Sequence, residues 1–275
     1  MSERAASTGA GTAFDRLVHI MATLRGPEGC PWDHEQTLET LRRYLVEETY
    51  EVLDALDDGD PSAHCEELGD LLLQIVFQAR IREEQGHFDV ASVATTIAEK
   101  LIRRHPHVFG DAQVGSAADV VRNWAEIKAA EKPRESALDG VPRTLPALQR
   151  AQRIGEKAAS AGFDWRRTDD VLAKLDEERA ELAAAMAQGR LDEVERELGD
   201  YLFTVVNAAR HLGVDAESAL RGTVSRFEAR YRKLEGDLRT EGRRVNEADD
   251  AELEARWQKV KRALASSAPD ADQAE

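Results

Sequence analysis

The chain has 275 residues, of which 42% are hydrophobic, 33% charged and 5% aromatic, and it carries a net charge of −16. That length has room for two domains of ordinary size, and the prominence of Ala, Leu, Glu and Arg favours helices over sheets, so the expected fold class is all-α. The acidic surplus repels nucleic-acid phosphates and so excludes a polymeric nucleic acid as the expected partner; an anionic ligand here calls for divalent cations between it and the protein.

Residues 1–12 and 265–275 are small and polar and are expected to be disordered tails. The amino terminus lacks a basic flank followed by an apolar stretch, and no run of about 18 apolar residues follows, so neither secretion nor membrane spanning is expected and a cytoplasmic location is. Cys30 and Cys65 are too few for a disulfide framework and lack CxxC spacing; they read as small core residues in a reducing compartment.

The first domain is placed at 13–131. In it LVEETYEVLDALDDG (45–59) reads as a helix stopped by Gly59. Asp60 then Pro61 supplies an N-cap followed by proline at the first helical position, which starts the next helix. That helix carries EELGDLLLQIVFQAR (66–80), whose LLLQIVF is apolar nearly all round and so signals burial on most sides. Further helices are expected over 92–105 and 117–131, and His105 and His107, either side of Pro106, read as capping or packing residues at a helix end. Residues 132–163 form a linker, with Pro133, Pro142 and Pro146 around a helix at 147–160.

The second domain, at 164–264, repeats the first. LDEERAELAAAMAQG (175–189) and RELGDYLFTVVNAAR (196–210) answer 45–59 and 66–80 at one offset of 130 residues, and helices are expected over 215–237 and 249–264. Glu48, Glu51, Glu67 and Asp70 thereby pair with Glu178, Glu181, Glu197 and Asp200. Carboxylates three apart share a helix face, so each pair is a two-toothed clamp, and Glu178 lies near the apolar stripe of Leu175, Leu182 and Met186. Like charges gathered beside apolar surface are costly unless a cation compensates them. Oxygen-only donors suit Mg²⁺, with Mn²⁺ as a substitute. A single ExxE is commonplace on exposed helices; the ordered set EExxE then ExxD, occurring twice at one spacing, is what points to metal.

In this pattern the chain resembles the MazG family from about Phe14 to Leu264, with further family-like stretches in GCPWD (29–33), RRHPHVFGD (103–111), EKPRESALDGVPRTLPAL (131–148) and GFDW (162–165). The resemblance implies an all-α, Mg²⁺-dependent nucleoside triphosphate pyrophosphohydrolase that cleaves between the α and β phosphates, giving monophosphate and pyrophosphate for nucleotide-pool control. It implies that Glu178, Glu181, Glu197 and Asp200 are the metal ligands. Glu177 is then a candidate to orient or deprotonate the attacking water, or else a solvated helix residue. Lys174, Arg226, Arg230 and Lys261 are candidate phosphate contacts, or else balance charge, and Trp257 either stacks on a base or belongs to the core. Family members carry Lys where Arg226 stands and Asn where Val224 stands. The first copy keeps Glu47, Glu48, Glu51, Glu67 and Asp70, with Lys100, Arg104, Trp124 and Lys128, as a second candidate metal site, although the carboxy-terminal copy is generally the active one in two-copy members. A homodimer is also implied, because paired helices from two subunits complete a bundle in the family, and the apolar stretches 71–77 and 201–206 need cover.

Three rival readings exist. A ferritin-like di-iron oxidase wants inward ExxH pairs, and the one ExxH, Glu84 to His87, contains Gly86 and fits a turn. Another all-α pyrophosphohydrolase, acting on dUTP or phosphoribosyl-ATP, is a nearer rival, against which the duplication and the linker motifs count. A non-enzymatic helical module that senses nucleotides would differ by releasing no pyrophosphate.

Overall fold

The structure is a computed structural model and describes residues 8–116, 119–120, 123–124, 127, 131 and 135–265. Among these the regular elements are helices, as the composition requires, and the chain divides into two compact units, 1–133 and 134–275.

In the first unit, α1 (Thr8–Leu24), the short α2 (Pro31–Glu35), α3 (Leu41–Asp58), α4 (Pro61–Glu84), α5 (Val90–Arg104) and the single turn α6 (Pro106–Phe109) follow in order. Helix α4 is the centre, with α1, α3 and α5 packed against it. Helix α1 begins inside the stretch expected to be a disordered tail. The reason is its stripe of Phe14, Leu17, Val18 and Met21, spaced i, i+3, i+4, i+7, which joins Leu41, Val76, Phe77 and Ile81 in one core. Arg25, just past α1, bonds the Glu84 carboxylate at the end of α4 and the backbone carbonyls of Asp33 and Gln36, which ties the α2 segment down. Cys65 is exposed and Cys30 partly buried, so neither is a core residue; Cys65 lies on the outer side of the first turns of α4. The helix expected over 117–131 falls largely outside the described residues, as do residues 1–7 and 266–275 of the expected tails.

The second unit contains α7 (Ala147–Ser160), α8 (Thr168–Gln188), α9 (Leu191–His211), α10 (Ala216–Thr240), a 3₁₀ turn (Val245–Glu247) and α11 (Asp250–Ala265). Helices α8 and α9 form the most extensive pair, and α7 crosses α9 and the start of α10. The crossing is close. A Cβ on Gly155 of α7 would stand 2.7 Å from Asn207 Oδ1 and 3.1 Å from Arg210 Nε. Neither neighbour is free to give way: Asn207 is buried and donates to the Phe203 carbonyl, while Arg210 is clamped by the Asp164 carboxylate of the GFDW stretch. Gly155→Ala is therefore expected to destabilise the protein by about 1–3 kcal/mol through overpacking, read as a lower midpoint in urea with an unchanged slope.

Helices α10 and α11 form their own hairpin around Leu234, Leu238 and Val260. An ion network closes it: Arg243 and Arg256 both bond Glu252, and Arg256 also bonds Glu241. The Arg243 and Arg256 guanidiniums lower the Glu252 carboxyl from 4.5 to about 2. A lowered carboxyl stabilises the fold above its unfolded value, and that stabilisation is lost as pH falls from 4.5 toward 2. Glu252→Gln is expected to lower the melting temperature at neutral pH, with the gap from wild type closing across that window in circular dichroism melts.

Expected burial fails on one face of each carboxylate-bearing hairpin. Gln74, Val76 and Phe77 of α4 are buried, but Leu72 and Ile75 are exposed; on α9, Thr204 and Val206 are buried while Leu202 and Phe203 are exposed. The helices packed around α4 and α9 within their units cover only part of each circumference.

Candidate metal centre

The local chain builds the same device twice. Helix α3 ends at Gly59 and α8 at Gly189, with φ of 71° and 67°, the left-handed conformation that glycine adopts without strain. Two residues then suffice before the next helix starts at Pro61 or Leu191, so each pair runs antiparallel. In the first unit Asp60 accepts from the Ser62 amide at 2.9 Å and caps α4.

The second-unit hairpin brings Glu178 of α8 together with Glu197 and Asp200 of α9, one ligand atom of each lying within 4.8 Å of the others. Glu178 and Glu197 are only 6% and 8% exposed. Two basic residues meet this charge. Lys174 Nζ stands 2.8 Å from Glu177 and 2.9 Å from Glu178, and Arg196 reaches Glu197 at 2.6 Å. Bonding to Glu177 and then to Glu178 raises Lys174 above the ordinary lysine value. Glu181, on the next turn of α8, is exposed and outside the cluster, and Glu177 is half exposed.

The first-unit hairpin brings together Glu48, Glu67 and Asp70 within the same 4.8 Å. At the offset of 130, the positions of Lys174 and Arg196 are held here by Tyr44 and Glu66. Two of the carboxyls here are shifted upward. Burial raises Glu48, aided by a hydrogen bond with Glu51 and the charge of Asp70, and burial with the charges of Glu51 and Asp70 raises Glu67. Glu47 is exposed, and Glu51 stays beside Glu48 without joining the three.

The remaining candidates lie elsewhere. Arg226 and Arg230 are on α10, Trp257 and Lys261 on α11. Trp257 is partly buried against the hairpin core, with its ring 5.2 Å from that of Phe227. Arg226 donates to Thr223 Oγ1 at 2.8 Å. In the first unit, Arg104 is bonded by Glu131 and its guanidinium carbon lies 5.9 Å from the centre of the Trp124 ring, Lys100 is on α5, and Lys128 lies outside the described residues. His105 Nδ1 meets the Leu101 carbonyl at 2.7 Å and its ring contacts those of His107 and Trp124, a packing arrangement.

Sequence reading missed Arg196, Asp164 and Phe227. Arg196 adjoins Glu197, and helical spacing gives no warning of a pair between neighbours. Asp164 sits in the quoted GFDW, where only the fold shows that it accepts from Arg210 and His211.

The sequence matches the family described as MazG nucleotide pyrophosphohydrolase domain twice, over residues 36–109 and 166–234. It is 46% identical over 255 residues to a nucleoside triphosphate pyrophosphohydrolase of Escherichia coli K12, covering 90% of this chain and 97% of the relative. It is 44% identical over 254 residues to the nucleoside triphosphate pyrophosphohydrolase/pyrophosphatase MazG of Thermotoga maritima, covering 92% and 97%. A solved MazG-related protein from Thermotoga maritima aligns at 30% identity with a TM-score of 0.37, over 42% of this chain and 97% of its own.

Proposed function

The chain belongs to the MazG nucleotide pyrophosphohydrolase family, and from that premise we propose that it hydrolyses nucleoside triphosphates to monophosphate and pyrophosphate with Mg²⁺, the second copy being the active one. The observation that carries the reading is the convergence of Glu178, Glu197 and Asp200 on one point, two of them buried, a donor set of oxygens alone. These residues, with Glu181 one turn along α8, would hold the metal. When bound, the ion supplies Lewis-acid stabilisation of charge on the phosphates. Glu177, half exposed beside the cluster, accepts a proton from the attacking water or orients it. Water adds at the α-phosphorus, the bond from that phosphorus to the bridging oxygen breaks, and pyrophosphate leaves. Lys174 compensates Glu177 and Glu178; with a cation held by the carboxylates, its ammonium would be available to a phosphate oxygen. Arg226, Arg230 and Lys261 contribute further positive charge, and Trp257 a face for the base. The site is tested with a panel of canonical and modified triphosphates, scoring monophosphate plus pyrophosphate against diphosphate plus phosphate. Diphosphate as product, or no turnover of any triphosphate, sinks the reading.

Several features support the rest of the proposal. A cytoplasmic location fits the two free cysteines, and among the described residues no helix is long and apolar enough to cross a membrane. The open faces at Leu72, Ile75, Leu202 and Phe203 support a homodimer. Light scattering is expected to give twice the 30.5 kDa of one chain, and a 30.5 kDa species at working concentration overturns this.

A further inference from the structure

The two copies keep the same paired carboxylates, but the residue just before the third of them reverses its charge. Glu66 precedes Glu67, whereas Arg196 precedes Glu197. One turn before the first carboxylate, Tyr44 in the first copy answers Lys174 in the second. The second cluster therefore differs from the first in the cations at its edge and not in its ligands.

The placement of Arg196 is not that of a helix-stabilising residue. Lys174, Arg179 and Arg190 pair with carboxylates three or four residues away, the spacing that brings helical side chains onto one face. Asp192, Glu193 and Asp200 stand at that spacing from Arg196. The carboxylate it reaches is instead that of its chain neighbour Glu197, at 2.6 Å.

Arg196 also spans two surroundings. Its side chain is 64% exposed and that of Glu197 only 10%, so the guanidinium touches a buried member of the cluster while most of the side chain lies in solvent. A guanidinium carries five N–H donors in a planar fork, and a carboxylate facing it takes two of them in the parallel geometry. The donors left over match the oxygens of a phosphate in angle and in charge. Glu66, at the same place in the first copy, offers a phosphate only repulsion.

We infer that Arg196 is a further substrate-binding residue of the second copy, its guanidinium bridging the Glu197 carboxylate and a phosphate oxygen of the bound triphosphate. This rests on the functional reading above and deepens it, since it names a contact that the second copy has and the first lacks.

The test is equilibrium binding, in the full chain with saturating Mg²⁺, of a triphosphate analogue whose α–β bridge is a methylene group and is not cleaved. Arg196→Gln is expected to weaken the analogue about tenfold, the scale of one hydrogen bond to a charged group, and Arg196→Glu to weaken it further. Arg196→Lys is expected to restore part of the loss, because it returns the charge without the fork. Arg239→Glu makes the same charge change at an exposed position of α10 paired with Glu235, and is expected to bind as wild type does. Binding of Mn²⁺ alone, read by electron paramagnetic resonance, separates a phosphate contact from support of the ligand Glu197: it is expected not to weaken in Arg196→Gln. Unchanged analogue affinity in Arg196→Gln and Arg196→Glu overturns the inference. A loss that runs in step with Mn²⁺ affinity, or one matched by Arg239→Glu, overturns it equally. Circular dichroism checks each fold; should Arg196→Gln not fold, Arg196→Lys keeps the ion pair, and wild-type affinity in that variant sinks the fork. A wild-type protein that neither binds the analogue nor releases pyrophosphate defeats the functional reading itself, an outcome distinct from an active enzyme indifferent to Arg196.

Discussion

Glu178→Ala and Asp200→Ala are expected to reduce pyrophosphate release by roughly a hundredfold or more, while Glu48→Ala and Asp70→Ala leave most of it. The two hairpins place equivalent carboxylates with the same closeness, so the expected inequality comes from what surrounds them. The second cluster has Lys174 and Arg196 at hand; the first has Tyr44 and Glu66 at those positions, leaving no cation there to hand over to a phosphate. Loss of one ligand weakens metal binding and transition-state charge stabilisation together. Asp200 is exposed, so its loss is expected to cost little stability, whereas Glu178 is buried and bonded by Lys174, so its removal breaks a pair and its fold must be verified first. Pyrophosphate release is measured only after circular dichroism shows a native spectrum. If first-copy substitutions are as damaging as second-copy ones in folded protein, the ranking of the two copies is wrong.

Chelation is expected to have a comparably large effect: EDTA abolishes turnover, and Mg²⁺ or Mn²⁺ restores it. The substrate is a polyanion, and the protein that receives it has a net charge of −16 with its best-formed cluster built of carboxylates. Lys174 and Arg196, even with Arg226, Arg230 and Lys261 added, cannot offset Glu177, Glu178, Glu197, Asp200 and a triphosphate. Divalent charge is expected to make up the balance. Turnover that survives exhaustive chelation removes the metal from the reading, whatever the identity of the ligands.

The sequence made the helical hairpins legible because their signals are local. Gly59, Gly189 and the Asp60–Pro61 pair are punctuation that needs no tertiary context, and the structure ends and begins its helices there. The convergence of Glu178 with Glu197 and Asp200 was legible through repetition, since a clamp seen twice at one offset has a cause beyond helix composition. Helix α1 was missed because its polar start resembles a tail, and only contact with Val76 and Phe77 makes its apolar stripe decisive. Arg196 and Asp164 were missed for a related reason: their partnerships depend on rotamer and on chain crossing, neither of which leaves a period in the sequence. The run LLLQIVF signalled burial on most sides and a need for cover; Gln74, Val76 and Phe77 are buried, while Leu72 and Ile75 are the positions that their own unit leaves open.

The two-residue turn at Gly189 also sets a phase. Glu178 precedes it by three helical turns and Glu197 follows by about two, so the angular position of each carboxylate is counted from that one point. Deleting a single residue between Glu178 and Gly189 would swing Glu178 by about 100° around the axis of α8, out of the cluster, and would turn buried Val171 and the rest of the helix before the deletion with it. The inter-ligand spacing thus behaves as a reading frame: substitutions along α8 are tolerated by ordinary chemistry, but changes in length are tolerated only in whole turns. The 130-residue offset that keeps all four carboxylate pairs in step across two diverged copies is what such a frame preserves.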